Sequence, residues 1–161
     1  GLVTVLPTVA HVAQRVHVAA ADWPTPLHIV QSDAEKYAAF DAADAALAAS
    51  GTVTAELALA RTPMVVAYRV GALTFALVRH MMKTRFITLV NIILDRAAVP
   101  EYVQGAATAQ ILAEKTAALF TDKNAAALQR AALEEFAAAL GEGGEAPSLR
   151  AARVLLAFVG G

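Results

Sequence analysis

The sequence predicts an α/β fold built on a parallel sheet. Three observations predict it. Short apolar runs alternate with helical stretches from Leu2 to about Leu94. The run Pro63-Met64-Val65-Val66-Ala67-Tyr68 is apolar throughout, as a strand covered on both faces should be. From Pro100 onward the periodicity is helical only. Right-handed crossovers between parallel strands gather the strand C-termini on one edge, where ligands of such folds bind.

Taken in order, Leu2–Leu6 reads as a strand ended by Pro7, and Thr8 to Ala21 as a helix with Thr8 as its N-cap. Trp23-Pro24-Thr25-Pro26 is a turn and Leu27–Val30 a second strand. Ser32-Asp33-Ala34-Glu35 matches a capping box, whose helix runs to Ala42. Asp41 and Asp44 read as structural caps ahead of a small-residue strand, Ala45–Ala49. Ser50-Gly51-Thr52 breaks that strand and opens a helix to about Ala60. Beyond Tyr68, Leu73 to Lys83 is helical and Phe86 to Leu94 is another apolar, β-branched run interrupted by Asn91. The helical remainder divides into Pro100–Gln104, Thr108–Phe120, Asn124–Leu140 and Ser148–Val159, with Gly141-Glu142-Gly143-Gly144 between the last two. The expected organisation is a single partial domain, with a sheet-bearing part over 1–106 and a helical tail over 107–161.

Composition narrows the function classes. The 161 residues are 58% hydrophobic and 17% charged, enough to bury a core and opposite to the balance that gives disorder. The net charge of −1 gives no basic excess for nucleic acid. There is no cysteine, which excludes disulfides and thiolate metal sites. His11, His17, His28 and His80 lack ligand spacing, so no metal or cofactor is expected. Glu134-Glu135 and Glu142/Glu145 read as solvated faces. No signal peptide is read at Gly1–Val5, and Pro63–Val78, interrupted by Arg69 and Gly71, falls short of a membrane span.

The segment richest in chemistry is Ala49-Ser50-Gly51-Thr52-Val53-Thr54-Ala55-Glu56. Gly51 permits close approach or an unusual backbone angle. Ser50 and Thr52 bring hydroxyls, and the new helix brings unpaired N–H groups at a positive dipole end, together a phosphate cradle. Glu56 lies one turn beyond Thr52 on the same helix face, where a carboxylate can accept both hydroxyls of a ribose. The competing reading is a capped helix start with a solvated glutamate. Arg79 and Lys83, four apart, with Arg85 and the apolar Phe75, Leu77, Val78, Met81 and Met82, read either as a membrane-facing amphipathic patch or as a helix with one face buried. Leu149, Ala152, Leu155, Leu156 and Val159 give the last helix an apolar surface suited to self-association.

Ser50-Gly51-Thr52-Val53-Thr54-Ala55-Glu56-Leu57-Ala58-Leu59, followed by Pro63-Met64-Val65-Val66-Ala67-Tyr68-Arg69, resembles the C-terminal domain of the lipid-A-disaccharide synthase family. Thr88-Leu89-Val90-Asn91, Val99-Pro100-Glu101-Tyr102-Val103-Gln104, Val5-Leu6-Pro7-Thr8 and Ala34-Glu35-Lys36-Tyr37 extend the resemblance over nearly the whole chain. It implies a Rossmann-like sheet with flanking helices, the C-terminal half of a GT-B fold with its first strand missing, and a helical C-terminal tail. It also implies an enzyme that joins a UDP-diacylglucosamine donor to an acylated glucosamine 1-phosphate acceptor, cytoplasmic or peripheral on the inner-membrane surface. Under that resemblance Ser50, Gly51, Thr52 and Glu56 face UDP. Asn91, Glu101 and Gln104 line the cleft near the donor's phosphates and sugar, and Arg69 approaches phosphate or anchors the cleft loop. The catalytic base is expected in an N-terminal domain outside this chain. The family usually reads Leu-Pro-Asn and then Ala-Gly-Arg where this chain has Leu89-Val90-Asn91 and Leu94-Asp95-Arg96. Without the first strand, two inner strands are expected to expose unpaired edges, leaving the chain marginal or paired with another segment or copy. Alternatives are another GT-B UDP-N-acetylglucosamine enzyme, a murein transferase or 2-epimerase, or a non-catalytic nucleotide-binding or interaction module.

Overall fold

The structure, a computed structural model, describes residues 1–71, 75, 84–144 and 147–159. The predicted helix Leu73–Lys83, with Arg79 and Lys83, lies outside the described residues apart from Phe75, and so does Glu145. The chain falls into two compact units, Gly1–Ala43 and Asp44–Gly161.

In the first unit β1 (Thr4–Pro7) pairs in parallel with β2 (Leu27–Val30), in register from Thr4 opposite Leu27 to Pro7 opposite Val30. Helix α1 (Ala10–Ala19) connects them. Its N-cap is Val9, not the expected Thr8, and no side chain caps it. The reason is that the Thr8 N–H donates to the Val30 carbonyl at 2.8 Å, continuing the sheet ladder and delaying the turn into helix. At the turn before β2, Trp23 Nε1 donates to Thr4 Oγ1 at 3.3 Å. Helix α2 (Asp33–Ala42) starts in the capping box its sequence announces: Glu35 N–H donates to Ser32 Oγ and Ser32 N–H to Glu35 Oε2, each at 3.2 Å. The Ser32 hydroxyl also donates to Glu35 Oε2 at 2.6 Å, and this hydrogen bonding holds the Glu35 carboxyl below its ordinary value. Burial in this unit is sparse. Phe40 is its buried apolar side chain, and α1 buries none.

The second unit contains a three-stranded parallel sheet in the order β3 (Ala46–Ala49), β4 (Met64–Tyr68), β5 (Glu101–Val103). The central strand is the one the sequence marks as covered on both faces: Met64 and Val65 are 0% exposed. Helix α3 (Thr52–Leu59) follows β3 and buries Thr54, Leu57 and Ala58. Two expectations are corrected between β4 and the tail. The run Phe86–Leu94 yields a helix, α4 (Leu89–Leu94), because Thr88 caps it by accepting the Asn91 N–H. Pro100–Gln104 is not helical: Glu101–Val103 pairs as β5 with Val66–Tyr68, and Gln104–Ala106 forms a 3₁₀ turn. Short apolar runs of this kind do not distinguish strand from helix, and here the cap and the open edge of β4 decide. Asp95 ends α4 in the left-handed region, φ 48°, ψ 34°, a conformation whose cost Asp tolerates better than most side chains.

The helical tail comprises α5 (Ala109–Thr121), α6 (Lys123–Leu140) and α7 (Pro147–Val159). Asp122 caps α6 by accepting from the Asn124 and Ala125 N–H groups at 3.0 Å, and Gly141 ends it at φ 92°. Ala126, Gln129, Leu133, Phe136 and Ala137 form a buried stripe at helical spacing. This stripe packs α6 against α3, α4 and α5, while α5 lies on β3 and β4. The tail therefore completes the second unit's core. Gln129 Oε1 accepts the Met64 N–H, tying α6 to the start of the central strand. Arg61 pairs with Glu142, and Arg96 with both oxygens of Glu135 at 3.0 and 2.6 Å. The hydrogen-bonded guanidinium holds the Glu135 carboxyl below its ordinary value. On α7, Leu149, Leu155, Leu156 and Phe158 are exposed.

Each of the five strands among the described residues has a partner in its own chain; β4 is paired on both sides and β1, β2, β3 and β5 along one edge only. No helix among the described residues is long and apolar enough to cross a membrane.

Candidate functional site

Because β3, β4 and β5 run parallel, their carboxyl ends share one edge. Three loops leave from it: Ser50-Gly51 into α3, Arg69-Val70 after β4, and Gln104 after β5. The edge thus collects Ser50, Gly51, Thr52, Arg69 and Gln104 from separate parts of the sequence.

The β3–α3 junction is built by its own small residues. The Ser50 N–H continues the ladder to the Ala67 carbonyl at 3.0 Å. Gly51 then takes φ 157° and ψ −164°, backbone space open essentially to glycine. Nothing lies within 4 Å of where a Cβ at Gly51 would sit, so the backbone angle, not crowding, requires glycine. Thr54, fully buried, donates its hydroxyl to the Gly51 carbonyl at 2.7 Å and fixes the first turn. No side chain caps this N-terminus, and of its first amides the Thr54 N–H donates to the Gly51 carbonyl at 3.2 Å. Thr52 and Gly51 are exposed, Ser50 and Glu56 are half-buried, and Arg69 is exposed.

The α4–β5 side of the site is organised differently, around Glu101. One carboxylate oxygen accepts from the Thr88 N–H at 2.7 Å, the Thr88 hydroxyl at 2.5 Å and the Asn91 amide at 2.8 Å. The other accepts from the Ile87 N–H at 2.9 Å. Asn91, 1% exposed, also donates to the Val99 carbonyl at 2.7 Å and accepts from the Val99 N–H at 2.9 Å. Gln104 makes the same two-way bond to Val70, accepting from its N–H and donating to its carbonyl, both at 3.0 Å. Gln104 itself has φ 52°. Asn91, Glu101 and Gln104 are therefore brought together around one hollow that none of Ser50, Gly51, Thr52, Glu56 or Arg69 lines, and their polar atoms hold the chain that forms it. Sequence reasoning missed Thr88, which gives Glu101 two of its hydrogen bonds and caps α4. A threonine directly before an apolar run was the available signal. It also missed Gln129, for which a lone amide in the apolar stripe of α6 was the only sign.

Beside this network lies an open hollow of about 510 Å³ whose lining includes Glu101, Asn91, Gln104, Phe86 and Val103. Arg85, 71% exposed, stands at its rim, 3.8 Å from Asp95.

An all-parallel sheet flanked by helices, with its polar residues gathered at the strands' carboxyl ends, defines an α/β protein of the kind that binds ligands at that edge. The chain belongs to the lipid-A-disaccharide synthetase family, whose model matches residues 2–153. It is 46% identical to the lipid-A-disaccharide synthase of Rhodospirillum centenum over 96% of this chain and 39% of that protein. It is 44% identical to that of Paramagnetospirillum magneticum, over 98% of this chain and 41% of the relative, and 40% identical to that of Bradyrhizobium diazoefficiens, over 94% and 39%. The chain thus spans about two fifths of the length of these relatives.

Proposed function

We propose that this chain forms most of the UDP-binding part of a GT-B hexosyltransferase that joins UDP-2,3-diacylglucosamine to 2,3-diacylglucosamine 1-phosphate. The observation that carries the reading is the α3 start. A helix N-terminus with no side-chain cap opens through Gly51 onto the carboxyl edge of a parallel sheet, and Glu56 follows one turn later on the same side. In this reading the amide groups at Gly51–Thr52 take the pyrophosphate and Glu56 takes the ribose hydroxyls. Arg69 adds positive charge from the neighbouring loop. Asn91, Glu101 and Gln104 act by fixing the loops that face the donor sugar.

The chemistry assigned to this part is positioning and charge stabilisation. The acceptor's 6-hydroxyl displaces UDP at the donor's anomeric carbon. The leaving diphosphate gains negative charge, which helix-end N–H groups stabilise without reorganising. The base that takes the hydroxyl proton belongs to the part of the polypeptide that the relatives have beyond this chain. Work on the cytoplasmic face of the inner membrane fits acylated substrates. The exposed apolar residues of α7 support burial against a further surface, a second copy included.

Calorimetric titration with UDP and UMP tests the reading. UDP is expected to bind, UMP more weakly for want of the second phosphate, and Glu56→Ala to weaken both by about tenfold, the worth of one or two hydrogen bonds. Binding of neither nucleotide would leave the chain a structural module.

A further inference from the structure

We propose that β5 serves as a two-point staple, so that the turn after β4 and the start of α4 are held and released as one unit. The inference does not rest on the nucleotide reading. Five backbone N–H groups of this region are accepted by side chains: Val70 by Gln104, Ile87 and Thr88 by Glu101, Asn91 by Thr88, and Val99 by Asn91. Two of these acceptors bracket the same short strand. Glu101 begins β5 and Gln104 follows its last residue. One strand therefore holds both Val70 and the Ile87–Thr88 pair, which lie far apart in the sequence.

The strand is weak by itself. It has three residues and, among the described residues, pairs with β4 alone. Strands of globular proteins commonly run to about 5–6 residues. The place of β5 therefore depends on the side-chain bonds, and they depend on its place. One step along a strand is about 3.3 Å, whereas N–H···O bonds hold over a range of only about 0.5 Å. A β5 that slips by one step, or leaves Val66–Tyr68, loses the Gln104–Val70 and Glu101–Thr88 bonds together. The other bonds follow, because Thr88, Asn91 and Glu101 form a closed ring. The Thr88 hydroxyl and the Asn91 amide both donate to Glu101, and the Asn91 N–H donates to Thr88. Bonds linked in this way open as a cooperative unit. Gln104 gives the unit a handle: it lines the hollow, and its amide carries a second hydrogen besides the one given to Val70. A contact made at that amide is then felt at the cap of α4.

The test is residue-resolved amide exchange by NMR on the intact chain, unaltered and with Gln104→Asn or Glu101→Gln. Asparagine keeps the tolerance for the left-handed backbone at Gln104, φ 52°, but its shorter side chain cannot reach Val70. Gln104→Asn should speed exchange at least tenfold at Ile87, Thr88 and Val99, whose N–H groups bond elsewhere, as well as at Val70. Glu101→Gln sets an amide where Thr88 and Asn91 donate to a carboxylate. It should in turn speed Val70 at least tenfold, since coupling is reciprocal. The Ala46 and Ser50 N–H groups, bonded to the Pro63 and Ala67 carbonyls, should change less than twofold and report that the fold persists. Acceleration of Val70 alone in Gln104→Asn overturns the proposal, as does acceleration in Glu101→Gln that leaves Val70 unchanged. So does no acceleration in either variant, or no protection of these amides in the unaltered chain. Equal acceleration of Ala46 and Ser50 overturns it too, because the second unit would then open only as a whole.

Discussion

The two units are made from the same ingredients, parallel strands joined through helices, yet they bury very different amounts. In Asp44–Gly161 Met64, Val65 and Val66 of the central strand, with Leu133 and Phe136, are sealed from solvent, because helices are available to cover the sheet. In Gly1–Ala43 a two-stranded parallel sheet carries helices that bury Phe40 and little else, and Val5, Val9 and Val18 stay exposed. Parallel sheets are stable when both faces are covered, and two strands rarely suffice alone. The site whose geometry is built most firmly accordingly lies in the second unit.

The sharpest way to break this contrast is through matched phenylalanines. Phe136→Ala should cost about 3–5 kcal/mol and lower the melting of the second unit as a whole, seen by circular dichroism. Phe40→Ala should abolish exchange protection of β1 and β2 while leaving β4 protected. Equal loss in both units would mean they unfold as one. Next, Asn91→Ala leaves the Val99 backbone groups and Glu101 short of partners, at a cost of about 2–4 kcal/mol measured by urea unfolding. A loss near zero would show that water replaces the amide. A smaller effect, about 1–3 kcal/mol, is expected for Gly51→Ala, from backbone strain alone. Its melting should fall while the packing of Leu57 and Ala58 is kept.

The smallest effect concerns pH and belongs to the first unit. The Glu35 carboxyl is held low by Ser32, so its contribution is present above its unfolded value of about 4.3 and is lost as pH falls through the folded value. Fraying of α2 on acidification, absent in Glu35→Gln, would be the sign in an NMR titration.

Much of this was legible in the sequence. The strands at Leu27–Val30 and Met64–Tyr68, the Ser32 capping box and the Gly51 helix start follow from local rules: alternating apolar runs, cap residues and glycine. What local rules could not decide was the stretch from Phe86 to Gln104. Its apolar runs suit either structure, and the choice depends on Glu101 reaching back to Thr88 and on β4 offering an edge. The same non-local bonding hid the work of Asn91, Glu101 and Gln104. The family resemblance named them as site residues, but only the folded chain shows that they hydrogen-bond to its own loops.

The amide of Gln104 has the same two groups as a peptide unit, and toward Val70 it behaves as one. It serves as a counterfeit residue, adding a rung to the ladder after the backbone of β5 has already curled away into its 3₁₀ turn. The loop beyond the central strand is thereby pinned at Val70. A carboxylate of the same size could not stand in, since it would set oxygen against the Val70 carbonyl with no proton between them.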